Sequence, residues 1–322
     1  MSSKIFALLA TSLFIFACKN TSKVANSTAN LIIQEQLLEE AEFEQNRIFL
    51  NVPTPNGQQV KFYTDTGGGK IIHQATPDKL GLTIDSLREG ERVMEVVNLS
   101  SFLEAQTLPP TIGPQFVFRK KSPFEEQTDG MLGANWFANK IWRFDYQNQQ
   151  LSWVKAWNPK AANPQHIVKL GFMKNVLGKH STHFPRIPII IESDTIQTLF
   201  DSGATAVLNK EAKEQIGDHY AIGASFIVAS FFDKWKAQHP EWKVIEGGDA
   251  LLKEDMIEVP EVTIAGHTIG PVWFARRKEE NFTQFMSQWM DETIHGAIGG
   301  SCFQYFSTIV VDYPKELAYL QK

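Results

Sequence analysis

The chain has 322 residues, of which 43% are hydrophobic and 21% are charged, and its formal net charge is −5. A chain of this length can hold two domains of ordinary size, and its composition is that of a globular protein. Lysine and arginine occur only in short groups, without the concentrated basic face that nucleic acid binding needs. These features exclude nucleic acid as a partner and disorder over most of the length.

The N-terminus has the pattern of an export signal. Lys4 is followed by the apolar run 5–17, which is too short to span a bilayer and is typical of the hydrophobic part of a signal peptide. The run ends at Cys18 and resembles a bacterial lipoprotein signal, in which cleavage precedes the cysteine and its thiol is lipidated. We predict a signal segment over 1–18, lipidation at Cys18, and a lipid-anchored position in the bacterial cell envelope, in the outer membrane or facing the periplasm. An ordinary secretory signal is the alternative.

A stretch of small polar residues, 19–30, follows the cysteine. Such a stretch cannot bury enough apolar surface to order itself, so we predict a flexible tether over 19–45. Within this tether, 31–43 places apolar residues and Glu or Gln at helical spacing. This part is predicted to be either a short helix or a continuation of the tether.

The remaining chain contains one pattern twice, which indicates two diverged copies of one domain. In each copy, two β-branched and aromatic runs predict a hairpin whose second strand ends in Asp-(Thr/Ser)-Gly, and three further landmarks follow in the same order. We predict an N-terminal lobe over 46–155, a connector over 156–182 and a C-terminal lobe over 183–322. The second copy is longer, and apolar residues at helical spacing within 223–239 predict an inserted helix. The landmarks are 47–67, 111–120, 130–137 and 144–146 in the first copy, and 186–203, 268–277, 296–303 and 311–313 in the second.

The two Asp-(Thr/Ser)-Gly tripeptides are the candidate chemistry of the chain. One such tripeptide carries little information, because Asp and Gly mark ordinary turns. Two of them at matching places of a repeat, led by Asp65 and Asp201, are far more specific. Two neighbouring carboxylates share a proton and titrate as a pair, so one can accept a proton from water while the other protonates a scissile amide. This chemistry requires no metal and no cofactor, and Gly67 and Gly203 allow tight turns whose amides donate to the carboxylates.

Together with the glycine-flanked stretches 130–133 and 296–299, the tripeptides resemble the pepsin/retropepsin aspartic peptidases, in particular bacterial two-lobed members. The resemblance covers both predicted lobes. It implies an all-β fold of two closed β-barrel lobes related by a pseudo-twofold axis, with a few short helices, and Asp65 and Asp201 as catalytic residues at the lobe interface. It also implies that the hydroxyls of Thr66 and Ser202 brace the two active-site loops, and that a hairpin flap closes over the substrate.

The predicted function is therefore that of an aspartic endopeptidase. The expected partners are a peptide or protein substrate and the membrane, which the lipid on Cys18 would contact. Because one chain carries both aspartates, we expect a monomer. The alternative is a catalytically inactive peptide-binding or structural lipoprotein with the same fold.

Two departures from the family pattern affect these expectations. Members often follow Asp-Thr-Gly with Ala or Ser and then a hydroxyl residue, whereas this chain has Gly68-Gly69 in the first copy and Ala204-Thr205 in the second. Positions 68 and 204 offer no side-chain hydroxyl to the carboxylates, so the carboxylate pKa should be depressed less and the optimum should be mildly acidic. Gly68 and Gly69 also predict a flexible loop, which is the feature that favours the inactive alternative.

Four other features of the sequence lead to expectations about single segments or residues. The stretch 92–102 is the candidate flap, where Phe102 either contacts substrate or packs in the core. The apolar stripe 282–290 at helical spacing predicts packing, with substrate contact as the alternative. His180 and His183 lack a third ligand nearby and predict a polar connector rather than a metal site. Cys302 follows a strand signal and is predicted to be a buried thiol.

Overall fold

The structure, a computed structural model, describes residues 31–54, 56–119 and 128–322. The predicted signal segment, Cys18 and the first part of the predicted tether lie outside these ranges. Within them, no helix is both long and apolar enough to cross a membrane. The described chain is mostly β-structure, with short helices between the strands.

The strands in chain order are β1 (Ile32–Leu37), β2 (Ala41–Glu44), β3 (Arg47–Pro53), β4 (Gln59–Thr64), β5 (Ile71–His73), β6 (Ile84–Glu89), β7 (Arg92–Asn98), β8 (Gln115–Arg119), β9 (Gly130–Leu132), β10 (Ile141–Asp145), β11 (Gln150–Trp157), β12 (Ile167–Lys169), β13 (Arg186–Ile191), β14 (Asp194–Phe200), β15 (Thr205–Val207), β16 (Ala221–Gly223), β17 (Ser225–Val228), β18 (Val244–Asp249), β19 (Glu254–Val259), β20 (Val262–Ile264), β21 (His267–Ile269), β22 (Val272–Arg277), β23 (Gly296–Ile298), β24 (Thr308–Asp312) and β25 (Leu317–Gln321). The α-helices are α1 (Thr76–Leu80), α2 (Ser100–Ala105), α3 (Ala134–Phe137), α4 (Lys210–Ile216), α5 (Ala229–Gln238) and α6 (Gly300–Phe303). Shorter helical segments are the 3₁₀ turns Pro159–Ala161, Pro164–His166 and Ser287–Trp289 and the π-helical Asn281–Met286.

The two large sheets repeat one strand order. Seven strands of the first sheet run β3-β4-β9-β5-β8-β7-β6, and seven of the second run β13-β14-β23-β17-β22-β19-β18. The polarity also matches, because β4–β9, β5–β8, β14–β23 and β17–β22 are parallel and the other neighbours are antiparallel. Identical order and polarity are what a duplicated domain produces. Among the described strands, neither sheet pairs its first strand with its last.

A third sheet joins the two copies, in the order β1-β11-β10-β24-β25-β12. At its centre β10 and β24 are antiparallel, with Arg143 opposite Val310 and Phe144 opposite Ile309. The landmarks 144–146 and 311–313 correspond, so Arg143 corresponds to Val310 and the pseudo-twofold axis passes through this pair. Each copy thus supplies three strands to one symmetric sheet.

A chain of aromatic rings crosses from one copy to the other beneath this sheet. Phe137 stacks on Phe144 at 5.9 Å between ring centroids, Phe144 lies 5.9 Å from Phe200, and Phe200 stacks on Phe303 at 4.3 Å. All four side chains are fully buried. Burying an aromatic side chain of this size contributes about 1.5–3 kcal/mol. The contact between copies is therefore part of one continuous core, and Phe200 directly precedes Asp201.

One sequence-based expectation is wrong in this part of the molecule. The stretch 31–43 is neither helix nor tether but contributes β1 and β2, and β1 pairs with β11 from Ile32 opposite Trp157 to Leu37 opposite Ser152. Buried Leu31 and Leu38 hold β1 at both ends while its central residues are exposed, so the sheet edge carries no clear alternation. The predicted connector likewise contains β12, the counterpart of β1.

The longer second copy also differs from its prediction. The helix expected within 223–239 is present as α5, with Phe232 and Trp235 buried. It is not an insertion, because α1 occupies the same place between β5 and β6 that α5 occupies between β17 and β18. The element without a counterpart in the first copy is β15-α4-β16, between the Asp201 loop and β17.

Candidate active site

Asp65 and Asp201 lie at equivalent points of the two copies. Each follows a central strand, β4 or β14, that runs parallel to β9 or β23. The amide of Asp65 donates to the carbonyl of Leu132 at 3.0 Å, and the amide of Asp201 donates to that of Ile298 at 2.8 Å. The neighbouring strands therefore hold both aspartates at the strand ends, as the paired hairpins predicted.

The structure brings the two carboxylates within hydrogen-bonding distance of each other. An ideal Cβ at Gly67 would lie 2.6 Å from Cγ of Asp201, and one at Gly203 would lie well inside 3.0 Å of Cγ of Asp65. Each glycine thus faces the carboxylate of the other copy, and no larger residue fits. The amide of Gly67 donates to Oδ1 of Asp65 at 2.8 Å, and that of Gly203 to Oδ1 of Asp201 at 3.0 Å.

Burial raises the pKa of the Asp201 carboxyl above its ordinary value. Hydrogen bonds from Asp65 and from the amides of Gly203, Ala204 and Gly67 favour the charged form and oppose this effect. Desolvation is the larger contribution to the pKa of Asp201. The pair therefore retains a shared proton at higher pH than an exposed aspartate would.

Thr66 and Ser202 form reciprocal hydrogen bonds between the copies, and both side chains are fully buried. Oγ1 of Thr66 donates to the carbonyl of Phe200 at 2.7 Å and accepts from the amide of Ser202 at 2.9 Å. Oγ of Ser202 accepts from the amide of Thr66 at 3.2 Å and lies 3.5 Å from the carbonyl of Thr64. The hydroxyls thus join the two loops, and the bonds of Thr66 are the shorter set.

Gly68 is packed rather than loose, contrary to the flexible loop predicted from Gly68 and Gly69. An ideal Cβ at Gly68 would lie well inside 3.0 Å of Oδ2 of Asp65 and 2.6 Å from the sulfur of Met131. The carbonyl of Gly68 accepts from the amide of Ala134 at 2.9 Å. By contrast, an ideal Cβ at Gly69 would meet nothing within 4 Å.

This contrast predicts different effects for the same substitution at neighbouring positions. Gly68→Ala is expected to lower the free energy of unfolding by about 1–3 kcal/mol, because the methyl group displaces the Asp65 carboxylate or the Met131 side chain. Gly69→Ala is the matched control and should leave stability unchanged or raise it by up to about 1 kcal/mol, because it restricts the unfolded chain. Urea unfolding of the two variants measures the difference. Equal stability of both would contradict the packing described for Gly68.

Tyr63 belongs to the site although the sequence analysis missed it. Its hydroxyl donates to the carbonyl of Gly203 at 2.8 Å and lies 2.6 Å from Oγ1 of Thr205, so it crosses between the copies. Burial and the charge of Asp65 raise the pKa of Tyr63 well above its ordinary value, so the phenol stays protonated. The available signal was an aromatic residue with a polar end two positions before Asp65, where the second copy has Leu199.

The predicted flap and the residues around it have mixed outcomes. The stretch 92–102 covers β7 and the start of α2, and the hairpin is formed by β6 and β7. Phe102 lies on α2 with its ring 6.2 Å from that of buried Phe62, so its predicted packing in the core is confirmed, and its contact with substrate stays a prediction. Cys302 is fully buried, as predicted, and burial raises its pKa to about 12. The stripe 282–290 is only partly packed, since Phe285 and Trp289 are exposed.

No protein-family model matches the chain, and no curated protein matches it in sequence. Among solved structures, it is similar to the aspartic proteinase from Irpex lacteus at 11% identity and a TM-score of 0.49, covering 90% of this chain and 97% of that one. A retropepsin-like aspartic protease from Rickettsia conorii matches at 15% identity and a TM-score of 0.28, over 48% of this chain and 90% of that one. Conglutin gamma, a basic 7S globulin from lupine seeds, matches at 10% identity and a TM-score of 0.40, over 91% and 95%. These likenesses concern the fold alone.

Proposed function

We propose that this protein is an aspartic endopeptidase that hydrolyses peptide bonds with a water molecule activated between Asp65 and Asp201. The observation that supports it best is the meeting of two carboxylates from equivalent loops of a duplicated domain, within hydrogen-bonding distance of each other. Reciprocal bonds from Thr66 and Ser202 hold the loops in register. Such a pair has no evident structural purpose, because placing two carboxylates together disfavours the folded state unless they share a proton.

The chemistry follows from the shared proton. The ionised carboxylate takes a proton from the water as its oxygen attacks the peptide carbonyl carbon, and the protonated carboxyl donates a hydrogen bond to the carbonyl oxygen. When the tetrahedral intermediate collapses, the C–N bond breaks and the leaving nitrogen takes a proton from the pair. One water is consumed, one carboxyl and one amine product form, and the pair returns with one proton. The proton belongs to the pair in the free protein, because the two carboxyls are hydrogen-bonded to each other and titrate together.

Several expectations about the surroundings belong to the same proposal. The hairpin of β6 and β7, whose side chains are largely exposed, serves as the flap over the cleft. Each lobe closes into a barrel around its large sheet, and the protein acts as a monomer. Export and lipidation at Cys18 tether it to the cell envelope. The inactive alternative depended on a loose Gly68 loop, and the packing of Gly68 against Asp65 removes that reason.

The direct test is cleavage of a diverse peptide library by the purified mature protein, with products identified by mass spectrometry. We expect internal cleavage of extended peptides that continues in the presence of a metal chelator. Failure to cleave any peptide between about pH 3 and pH 8, by protein that remains folded, would contradict the proposal and leave peptide binding as the alternative.

The pH dependence of cleavage is a second expectation. At low pH both carboxyls are protonated and no base is present, whereas at high pH both are ionised and no acid is present, so the profile should be bell-shaped. Because burial raises the pKa of Asp201, the pair keeps its shared proton at higher pH. The loss of activity on the alkaline side of the profile therefore shifts toward neutral pH. We therefore expect a mildly acidic optimum. The measurement is kcat/KM against pH with circular dichroism as a folding control, and a maximum near the pH of stomach acid would contradict it.

A further inference from the structure

A cleft of about 200 Å³ opens beside the Asp65 loop. Its walls come from that loop, from the start of α3, from the segment before β13 and from the turn that follows the π-helical segment. Gly68 forms part of the wall and also contacts the Asp65 carboxylate, so the cleft begins next to the carboxylate pair. The lining residues used below are Gly68, Lys70, Ala134, Phe184 and Trp289.

In the second copy, the chain itself fills the corresponding position. The glycine-flanked stretches align Ala134 with Gly300, and Gly223 at the end of β16 lies beside Gly300. An ideal Cβ at Gly223 would lie 2.6 Å from the carbonyl oxygen of Asn46, and one at Gly300 would lie nearer than 3.0 Å to it. The backbone of Asn46, directly before β3, therefore rests on these glycines. This part of the fold is shaped to accept polypeptide.

The first-copy position at Ala134 remains open. Phe184 precedes β13 at nearly the place where Asn46 precedes β3, but it forms a side wall and leaves the volume free. An open position next to the carboxylate pair, whose counterpart holds backbone, suits a segment of a bound peptide.

Lys70 gives this cleft its chemical preference. Its Nζ donates to the carbonyl of Ile112 at 2.7 Å and to that of Gly113, and no carboxylate within the described ranges forms an ion pair with it. The Lys70 ammonium is partly desolvated, and this burial lowers its pKa to about 8. An ammonium has three donors, so one remains for a ligand. The aligned residue of the second copy is Ser225, so the fold does not require a cation here.

The remaining walls suit the carbon chain of a side chain that carries a carboxylate. Trp289 is 46% exposed, and its carbonyl accepts from Oγ1 of Thr182 at 2.6 Å, which fixes the backbone behind the ring. Phe184 is half-buried and adds a second aromatic surface. Methylene groups pack favourably on such surfaces, and a carboxylate would accept the remaining donor of the partly desolvated cation.

We infer that this cleft is a specificity subsite that takes a carboxylate-bearing residue of the peptide held by Asp65 and Asp201, with glutamate as the best fit and Lys70 as its partner. The inference rests on the proposed function. The carboxylate has two possible sources, an acidic side chain within the peptide or the free carboxyl group at the peptide's end.

The experiment uses peptides that differ at one position near the cleaved bond, with Glu, Gln or Leu there, each with a free or an amidated C-terminus. For the wild type, kcat/KM should be roughly tenfold or more higher for Glu than for Gln, because a charge-assisted hydrogen bond to a partly buried cation is lost with Gln. If the C-terminal carboxyl is the ligand instead, the same preference appears for the free over the amidated peptide. Equal rates for all pairs would overturn the inference.

Variants assign the preference to Lys70. Lys70→Met should reduce the Glu-to-Gln ratio to about one, and Lys70→Arg should keep the ratio above one, because it retains the charge. The ratio is taken within each variant, so a general loss of activity does not affect it. Lys210→Met, which removes a charge from an exposed lysine on α4, is the matched control and should leave the ratio at the wild-type value. A ratio that persists in Lys70→Met would overturn the assignment.

Calorimetric binding of the same peptides to the Asp201→Asn variant separates this inference from the proposed function. If the Glu peptide binds more tightly in a way that depends on Lys70 but the wild type does not cleave it, the proposed peptidase activity is contradicted and the subsite is supported. If the wild type cleaves the peptides with no preference for Glu in either assay, the subsite is contradicted and the proposed peptidase activity is supported.

Discussion

Replacing Asp201 with asparagine is expected to lower kcat/KM by at least about 10³-fold, because the amide can neither carry the shared proton nor accept one from water. Asp65→Asn should have an effect of the same order, since the two carboxylates act as one unit and the loss of either partner removes the pair. The measurement is the rate of hydrolysis of the best library peptide by each variant. Asp218→Asn, an exposed aspartate, is the matched control and should retain wild-type activity. Activity that survives either substitution would remove the pair from the mechanism.

Stability separates this loss from unfolding. A carboxyl whose folded pKa is raised binds its proton more tightly in the folded state, so its contribution to stability falls as pH rises from the unfolded pKa through the folded one. Above that range, the ionised and desolvated Asp201 is a net cost to the fold. Asp201→Asn should therefore be at least as stable as the wild type at neutral pH. A lower melting temperature for the variant at neutral pH would contradict the raised pKa.

Local signals explain what the sequence predicted correctly. Each hairpin and its terminal Asp-(Thr/Ser)-Gly lies within one short stretch, so strand alternation and turn residues are sufficient to locate Asp65 and Asp201. The roles of Thr66 and Ser202 came from the family resemblance. Their reciprocal bonds join residues that are 136 positions apart, and no spacing within either copy indicates them.

The failures have a common physical cause, because each depends on a distant partner. β1 has exposed central residues and is a strand only because β11 offers an unpaired edge. Gly68 looked flexible, yet the Asp65 carboxylate and Met131 occupy the space that a side chain would need. In each case tertiary contacts decide what local propensity leaves open.

The hydrogen bonds of the Thr66 and Ser202 hydroxyls between the loops should contribute unequally to the free energy of unfolding. Thr66→Val keeps the shape but leaves the carbonyl of Phe200 and the amide of Ser202 buried without their partner, which costs about 1–3 kcal/mol each. Ser202→Ala removes one bond of 3.2 Å and one of 3.5 Å, and bonds of that length are weak, so about 1 kcal/mol is expected. Urea unfolding of the two variants measures the difference. Equal losses would contradict the asymmetry of the bond lengths.

Thr198→Val distinguishes positioning of the carboxylates from plain stability. Thr198 is fully buried, and its hydroxyl donates to the carbonyl of Ile187 at 2.7 Å within a single hairpin, so its removal should cost about 1–3 kcal/mol without touching the loop contact. Thr66→Val alters the distance between the carboxylates, and misplacement by about 1 Å can reduce a rate by about 100-fold. We therefore expect Thr66→Val to lose about 100-fold in kcat/KM below its unfolding temperature, whereas Thr198→Val stays within a few-fold of wild type. If both variants lose activity in proportion to their stability, the hydroxyl of Thr66 stabilises the fold and does not position the catalytic pair.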